Sequence, residues 1–224
     1  MSAPRDIVFF GVSNLLSDLI DCALALGHRI ACIVLNQAPV VRPRTLELKD
    51  RLKRLGLDVP LVMADDFSPA AETLFALGTT APGRGALVEF CQKRWALQFA
   101  ALVHPSASVS PFASTGEGVF VGAGSVIAPG VRLGAFAFVN RGVTVGHDTV
   151  IGDYARMMPG CNVGGHVKVG RGAMIGMGAN VMPELEVGDG AVVAACAAVI
   201  ADVDAFTLVA GVPATVRKRI SAGN

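Results

Sequence analysis

The chain lacks several features that mark other classes of protein. Although 52% of its residues are hydrophobic, none of its apolar stretches approaches 18 unbroken residues, so the sequence predicts no membrane insertion. The apolar run at residues 7–10 is too short for the core of a signal peptide. A net charge of +1 gives no electrostatic reason to expect binding to nucleic acid or to an anionic membrane surface.

Signals for disulfide and metal chemistry are also missing. The five cysteines are an odd number and form no Cys-x-x-Cys pair. With no export signal, they indicate reduced and mostly buried thiols in a cytoplasmic protein. They are Cys22, Cys32, Cys91, Cys161 and Cys196. No two of the four histidines have the spacing of metal ligands, so the sequence predicts no catalytic metal.

Glycine is scarce in the first part of the chain and common in the second. Only six of the 26 glycines precede residue 103, and the composition changes near residues 99–104 without a Pro/Ser/Gly linker. We therefore predict one domain over residues 1–102, a second over residues 103–204, and a C-terminal cap segment over residues 205–224.

The first domain has the alternating pattern of an α/β protein. Apolar runs at residues 7–10, 30–35 and 74–77 predict strands. Apolar residues at helical spacing predict a helix that follows the first strand and ends at Gly27, and a second helix is predicted over residues 84–97. These elements favour a small parallel sheet of Rossmann-like type.

Ligands of such sheets lie at the carboxyl ends of the strands. Here those ends are residues 11–14, Asn36 and residues 78–80. Ser13 or Asn14 is also expected to cap the first helix, because both residue types accept hydrogen bonds from a helix N-terminus.

The second domain is a repeat of six residues. Sixteen of the seventeen residues met in steps of six from Val103 to Val199 are aliphatic, and a small or modest side chain follows each of the seventeen four positions later. Glycine often comes directly after the aliphatic residue. This pattern predicts a triangular parallel β-helix whose aliphatic residues fill the interior, with three hexads to a coil of 18 residues. We expect glycine to permit each turn, and the register to hold without slipping from residue 103 to 204.

The whole chain resembles the hexapeptide-repeat sugar acyltransferases of the sialic-acid O-acetyltransferase and bacillosamine N-acetyltransferase type. The specific matches are Val145-Gly146-His147-Asp148-Thr149 and the closing Gly211-Val212-Pro213-Ala214. The resemblance implies a Rossmann-like domain joined to a left-handed β-helix, a homotrimer with its active site between adjacent prisms, acetyl-CoA or another acyl-CoA as co-substrate, and a sugar acceptor.

The resemblance also assigns catalytic roles. It makes His147 the general base and Asp148 the acid that orients it. The chemistry suits an imidazole, because the acceptor must lose a proton as it attacks a thioester and imidazole titrates near neutrality. The other histidines are read as structural (His104) or solvated (His28 and His166).

Binding residues follow by the same alignment. The acyl carbonyl would meet the backbone N–H of Gly165, and pantetheine would run past Met177 and Ala195 to Gly211 and Pro213. A basic stretch, residues 217–219, would meet the CoA phosphates or else form a solvated helix.

The acceptor is assigned to Asn140 and to the N-terminal loops with Ser13, Asn14 and Asn36. Those loops depart from the family pattern, which has a second glycine and a histidine near residues 13–15 and acidic residues near Asn36. Arg156 replaces a histidine of the acceptor pocket. A guanidinium there favours an acceptor with a carboxylate or phosphate near the reacting group, unless Arg156 points to solvent or pairs with Asp153.

Two other functions stay open from the sequence. One is a non-catalytic hexapeptide-repeat subunit for binding or scaffolding, favoured by the altered N-terminal loops. The other is a γ-class carbonic anhydrase, which needs three histidine ligands. Its pattern is opposed by Pro129 and Gly165, which stack 18 residues on either side of His147.

Overall fold

The structure is a computed structural model that describes residues 4–36, 46–81 and 83–220. The chain divides into two compact units, Met1–Ala100 and Ala101–Asn224. Among the described residues, no helix is both long enough and apolar enough to cross a membrane.

The first unit is a small α/β domain around four parallel strands. In chain order its elements are β1 (Asp6–Phe10), α1 (Leu16–Ala25), β2 (Arg29–Leu35), α2 (Leu48–Arg54), β3 (Leu61–Met63), a 3₁₀ helix (Ala64–Asp66), β4 (Leu74–Leu77) and α3 (Arg84–Trp95). The strands lie in the order β3-β2-β1-β4. The three predicted strands and two predicted helices are confirmed. Helix α2 and strand β3 were missed, because α2 is short and highly charged and buries only Leu48 and Leu52.

The core of this unit surrounds β1, whose last four residues are buried. Phe10 lies at the centre of an aromatic cluster, with ring centroids 5.3 Å from Phe67 and 5.7 Å from Trp95. Such edge-on and tilted contacts contribute beyond simple burial of area. Two expectations were wrong here. Neither Ser13 nor Asn14 caps α1, which begins after Leu15 with no side-chain cap. His28 is also buried rather than solvated, and burial together with nearby Arg5 lowers its pKa.

The second unit is a parallel β-solenoid of the left-handed β-helix type, with three faces. Face I contains Leu102–Val103, Phe120–Val121, Phe138–Val139, Arg156–Met157, Met174–Ile175, Val192–Val193, Thr207–Ala210 and Thr215–Arg219. Face II contains Ser108–Val109, Val126–Ile127, Thr144–Val145, Asn162–Val163, Asn180–Val181 and Ala198–Val199. Face III contains Ser114–Thr115, Arg132–Leu133, Val150–Ile151, Lys168–Val169 and Glu186–Val187.

Each coil stacks on the next in the predicted register of 18 residues, as where Val145 pairs with both Ile127 and Val163. The aliphatic positions point inward, and residues such as Ile151, Met157 and Ile175 are at most 1% exposed. The repeat period predicted from the sequence is therefore confirmed.

The reason for the repeated glycine differs from the expectation. The glycine that follows each aliphatic residue does not have positive φ; that conformation falls two residues later, on Gly142 or Asp148 for example. At Gly146, instead, a Cβ atom would lie 2.4 Å from the backbone nitrogen of Gly165 in the next coil. Glycine is required there because successive coils approach too closely for a side chain.

The predicted unbroken register was wrong at the last face. Val187 pairs with Val203, 16 residues later, so this coil is shortened by two residues. The chain then forms the antiparallel pair Thr207–Ala210 and Thr215–Arg219, which makes the basic stretch an exposed strand and not a helix. The slip follows the loss of the glycine at the corner, where Ile200 and Ala201 stand.

Candidate active site

His147 lies on the edge between faces II and III, directly after Gly146. Its side chain is 61% exposed, as predicted for a corner residue, and its Nδ1 lies 2.9 Å from Asp148 Oδ2. A carboxylate at this distance favours the tautomer in which Nδ1 carries the proton. The pair thus leaves Nε2 with a lone pair that can accept a proton.

The backbone of Asp148 is held by the preceding coil. Its N–H donates to the carbonyl of Pro129 at 3.0 Å, and its φ of 56° is left-handed, a conformation that aspartate tolerates better than most residues. Its Oδ1 occupies the space above Gly130, where a Cβ would lie only 2.3 Å away. Gly130 therefore makes room for the carboxylate that pairs with His147.

Gly165 lies beside the imidazole, one coil further on. A Cβ at this position would stand 2.8 Å from Nε2 of His147. The carbonyl of Gly165 accepts a hydrogen bond from the N–H of Glu184 at 3.0 Å, which ties it to the following coil. The absence of a side chain at residue 165 therefore leaves room for His147 to lie against this backbone.

A buried hydroxyl joins these two coils. Thr149 is fully buried, and its Oγ1 donates to the carbonyl of Gly164 at 2.8 Å and accepts from the N–H of Val167 at 3.2 Å. Ser125 does the same beneath another corner, donating to the carbonyl of Asn140 at 2.7 Å. The sequence analysis missed both residues. Their signal was available, because they are the two hydroxyls among the seventeen small positions of the repeat.

His166, expected to be merely solvated, joins the His147–Asp148 pair. Its ring packs edge-on against that of His147, with centroids 4.9 Å apart, and its Nε2 is 3.9 Å from Asp148 Oδ2. Donor atoms of the three side chains all lie within 4.8 Å of one another. The spacing argument from the sequence overlooked this contact, because residues 19 apart meet when a coil has 18 residues. That the enzyme needs no catalytic metal stays a prediction.

The other residues assigned to acyl-CoA lie on a different edge, between faces I and II. Met177 is 56% exposed, and Ala195 is exposed on the next coil. The turn from Gly211 to Ala214 is bound to face II, since Ala198 N–H donates to the carbonyl of Gly211 and Ala214 N–H donates to that of Ala198. In one chain, face II separates this edge from Gly165.

Asn140 and Arg156 are also remote from His147 along the solenoid. Asn140 begins the edge between faces I and II and is only 1% exposed, with its Oδ1 accepting from the N–H of Arg141. Arg156 lies on face I, the face that does not border the edge of His147. Its side chain is partly buried, which lowers its pKa, so it does not simply point to solvent. The carboxylate of Asp153 instead pairs with Arg171 at 2.9 Å.

Several solved structures are similar to this one over nearly its full length. A variant of perosamine N-acetyltransferase from Caulobacter crescentus, in complex with CoA and GDP-perosamine, has a TM-score of 0.79 and 26% identity over 95% of this chain and 97% of that one. The acetyltransferase domain of PglB from Neisseria gonorrhoeae, in complex with acetyl coenzyme A, has a TM-score of 0.79 and 23% identity over 96% and 100%. WeeI from Acinetobacter baumannii has a TM-score of 0.71 and 22% identity over 95% and 100%. The last two likenesses concern the fold alone. No family model matches the chain, and no curated protein matches it in sequence.

The resemblance to the hexapeptide-repeat sugar acyltransferases is confirmed. In the first unit, the loops assigned to the acceptor by that resemblance follow β1 and β2. Ser13 donates through Oγ to the carbonyl of Gly78 at 3.3 Å, while the guanidinium of Arg51 donates to the carbonyls of Ser13 and Asn14 at 3.1 and 3.2 Å. Asn36 is exposed just after β2.

Arg51 therefore shapes the loop that lacks the family's second glycine and histidine. The sequence analysis missed it, because the short charged helix that carries it gave no clear signal. Gly78 is needed at the same place, since a Cβ there would lie 2.3 Å from the carbonyl oxygen of Gly11.

The basic strand at the C-terminus offers fewer free cations than the sequence indicated. Arg219 pairs with Asp204 at 2.9 Å, and Arg217 donates to the carbonyl of Ala210 at 3.3 Å. An arginine that is already paired with a carboxylate is a weaker site for a phosphate group.

Proposed function

We propose that this protein transfers an acetyl or other acyl group from acyl-CoA to an amine or hydroxyl of a sugar, and that the sugar is nucleotide-linked. The observation that carries this proposal is the exposed His147–Asp148 pair beside Gly165 on a solenoid edge. The full-length likeness to a perosamine N-acetyltransferase in complex with CoA and GDP-perosamine supports both substrate classes.

His147 is the general base in this proposal. Its Nε2 takes the proton from the attacking amine or hydroxyl, and the hydrogen bond from Nδ1 to Asp148 stabilises the charge that the ring then carries. The backbone N–H of Gly165 polarises the acyl carbonyl. Acyl-CoA supplies the thioester, whose carbon–sulfur bond breaks as the acceptor's new bond to carbon forms, and His147 returns its proton to the departing sulfur.

The positions of the remaining residues favour a site shared between copies of the chain. Gly165 and Met177 lie on two edges separated by face II, so an acyl-CoA bound along one edge would reach both only if a second copy brought the other edge beside it. Asn140 and Arg156 require the same juxtaposition to meet His147. We propose the homotrimer of the related enzymes, because threefold packing of prisms brings unlike edges together.

The first unit is proposed to bind the nucleotide-sugar as a Rossmann-like domain. Its parallel sheet places the loops containing Ser13, Asn14 and Asn36 at the carboxyl ends of β1 and β2, where such sheets bind ligands. Arg51 adds a positive charge beside that loop. A cytoplasmic location fits a supply of acyl-CoA and nucleotide-sugar.

An acyl-transfer assay tests the proposal. Purified protein would be supplied with acetyl-CoA and a panel of UDP-, GDP-, dTDP- and CMP-sugars, with release of free CoA as the signal. His147→Ala should lower kcat by about 10²- to 10⁴-fold and leave the Kd for acetyl-CoA within a few-fold.

The matched control is His104→Gln, which changes a histidine that hydrogen-bonds to Ser106 at another corner. It should leave kcat unchanged. Equal loss of turnover and acetyl-CoA binding in His147→Ala would make His147 a binding residue. Binding of acetyl-CoA without turnover on any acceptor would favour the non-catalytic subunit instead.

A further inference from the structure

His166 contacts both members of the His147–Asp148 pair, although the proposed reaction gives it no role. It stands one coil after Asp148 in the same column of the solenoid, and its N–H donates to the carbonyl of His147 at 2.9 Å. Its ring meets that of His147 at an interplanar angle of 89°. This backbone bond and edge-on contact hold the imidazole of His147 from one side, while Gly165 leaves it room to lie there.

The carboxylate of Asp148 is within reach of both rings. Its Oδ2 lies 2.9 Å from Nδ1 of His147 and 3.9 Å from Nε2 of His166, so a rotation of about 1 Å would exchange one partner for the other. The backbone of Asp148 is fixed by Pro129, and Oδ1 lies close over Gly130. Rotation toward His166 moves the carboxylate away from that crowded glycine.

The charge of His166 decides between the two partners. An uncharged His166 attracts the carboxylate weakly, and Asp148 remains on His147. A protonated His166 forms a charge-assisted hydrogen bond with the same oxygen, and such bonds are about twice as strong as neutral ones. All three side chains are 55–61% exposed, so the rings and the carboxylate have room to turn.

We propose that His166 is a positioning residue for the His147–Asp148 pair, and that the pair is intact only while His166 is uncharged. This inference rests on the proposed function, in which His147 is the base. Protonation of His166 withdraws the carboxylate from Nδ1 of His147, so the imidazole loses both its orientation and the partner for its positive charge. Activity then falls on the acid side for two reasons, the charging of His147 and the charging of His166.

The other charged groups near His166 are few in this part of the described solenoid. Glu184 occupies the next place in the column and is exposed, with its backbone N–H bound to Gly165. Lys168, on the strand that follows His166, is exposed and stands opposite Glu186 in the ladder. Glu184 thus offers a matched control, because it has the same left-handed backbone and column but lies on the far side of His166 from Asp148.

The test compares pH–rate profiles of wild type, His166→Asn and Glu184→Gln. Asparagine tolerates the φ of 57° at residue 166 but does not titrate in this range. At the acid end, kcat of the wild type should fall more steeply than that of His166→Asn by one proton, or about tenfold more per pH unit. Above neutral pH the variant should retain kcat within about tenfold, with an unchanged KM for acetyl-CoA, because only the packing against His147 is lost. Glu184→Gln should match the wild-type profile.

Crystal structures of the wild type at pH 5 and pH 8 give a readout that does not depend on turnover. The Asp148 carboxylate should lie on His147 at the higher pH and on His166 at the lower one. Equal steepness of the wild-type and His166→Asn profiles, or a carboxylate that stays on His147 at both pH values, would overturn the inference. If no acceptor is acylated at any pH, the proposed function fails, and the two structures still decide the role of His166.

Discussion

Replacing Gly165 by alanine should separate the chemistry of this site from its stability. The added Cβ would lie 2.8 Å from Nε2 of His147, 3.0 Å from Cε1 and 3.1 Å from Cδ2, so the whole ring must move. Ordinary contacts between such atoms are about 3.5–4.0 Å. The imidazole is therefore displaced by roughly 0.5–1 Å, enough to stretch its 2.9 Å hydrogen bond to Asp148.

A misplacement of about 1 Å can lower a rate by about 10²-fold. We expect Gly165→Ala to lower kcat by about 10- to 100-fold. The fold should be nearly unaffected, because φ at Gly165 is not left-handed and the atoms that must yield belong to an exposed ring. The loss in free energy of unfolding should stay under about 1 kcal/mol.

The neighbouring Gly164→Ala is the control. Its Cβ would meet the backbone nitrogen of Pro183 at 2.6 Å and the Cα at 2.8 Å, and neither atom can turn away. That variant should lose about 1–3 kcal/mol of stability through overpacking. Acyl transfer and urea unfolding would be measured on both variants. A Gly165→Ala protein with wild-type kcat, or one as destabilised as Gly164→Ala, would refute the placement of His147 against this backbone.

Three further predictions concern the acceptor, the assembly and the buried thiols. Arg156→His should raise the KM for an acidic acceptor and change acceptor preference, because it removes a guanidinium suited to a carboxylate or phosphate; unchanged acceptor kinetics would exclude Arg156 from recognition. Light scattering should give a trimer at micromolar concentration, and a stable monomer would contradict the shared site. Stability should fall above about pH 9, where unfolded thiols ionise. Burial raises the pKa of three native thiols to about 12, so the unfolded state binds fewer protons than the native state between these values. These are Cys22, Cys91 and Cys161. The cost should approach about 1.4 kcal/mol per thiol for each pH unit in that window. Urea midpoints at pH 8 and pH 10 should therefore differ less for Cys161→Ala than for wild type, and an equal difference would contradict the argument.

The sequence by itself determined the repeat and the position of the candidate base. A period of six is a steric requirement that each coil repeats, so seventeen hexads identified the solenoid and put His147 at an exposed corner. The strands of the first unit were predictable for a similar reason, since their buried apolar runs are continuous. Helix α2 was not, because most of its residues face solvent and its burial depends on the sheet beneath it.

The tertiary structure decided what stands around that base. His166 is 19 residues from His147 in sequence, and only the stacking of coils brings their rings to 4.9 Å. The roles of Gly130 and Gly165 depend equally on the spacing of successive coils, which no local pattern expresses. The last corner shows the same limit, where the register slips by two residues once the solenoid has no further coil to match. Local sterics are written in the repeat, whereas contacts across coils arise only when the chain has closed each turn upon the one before it.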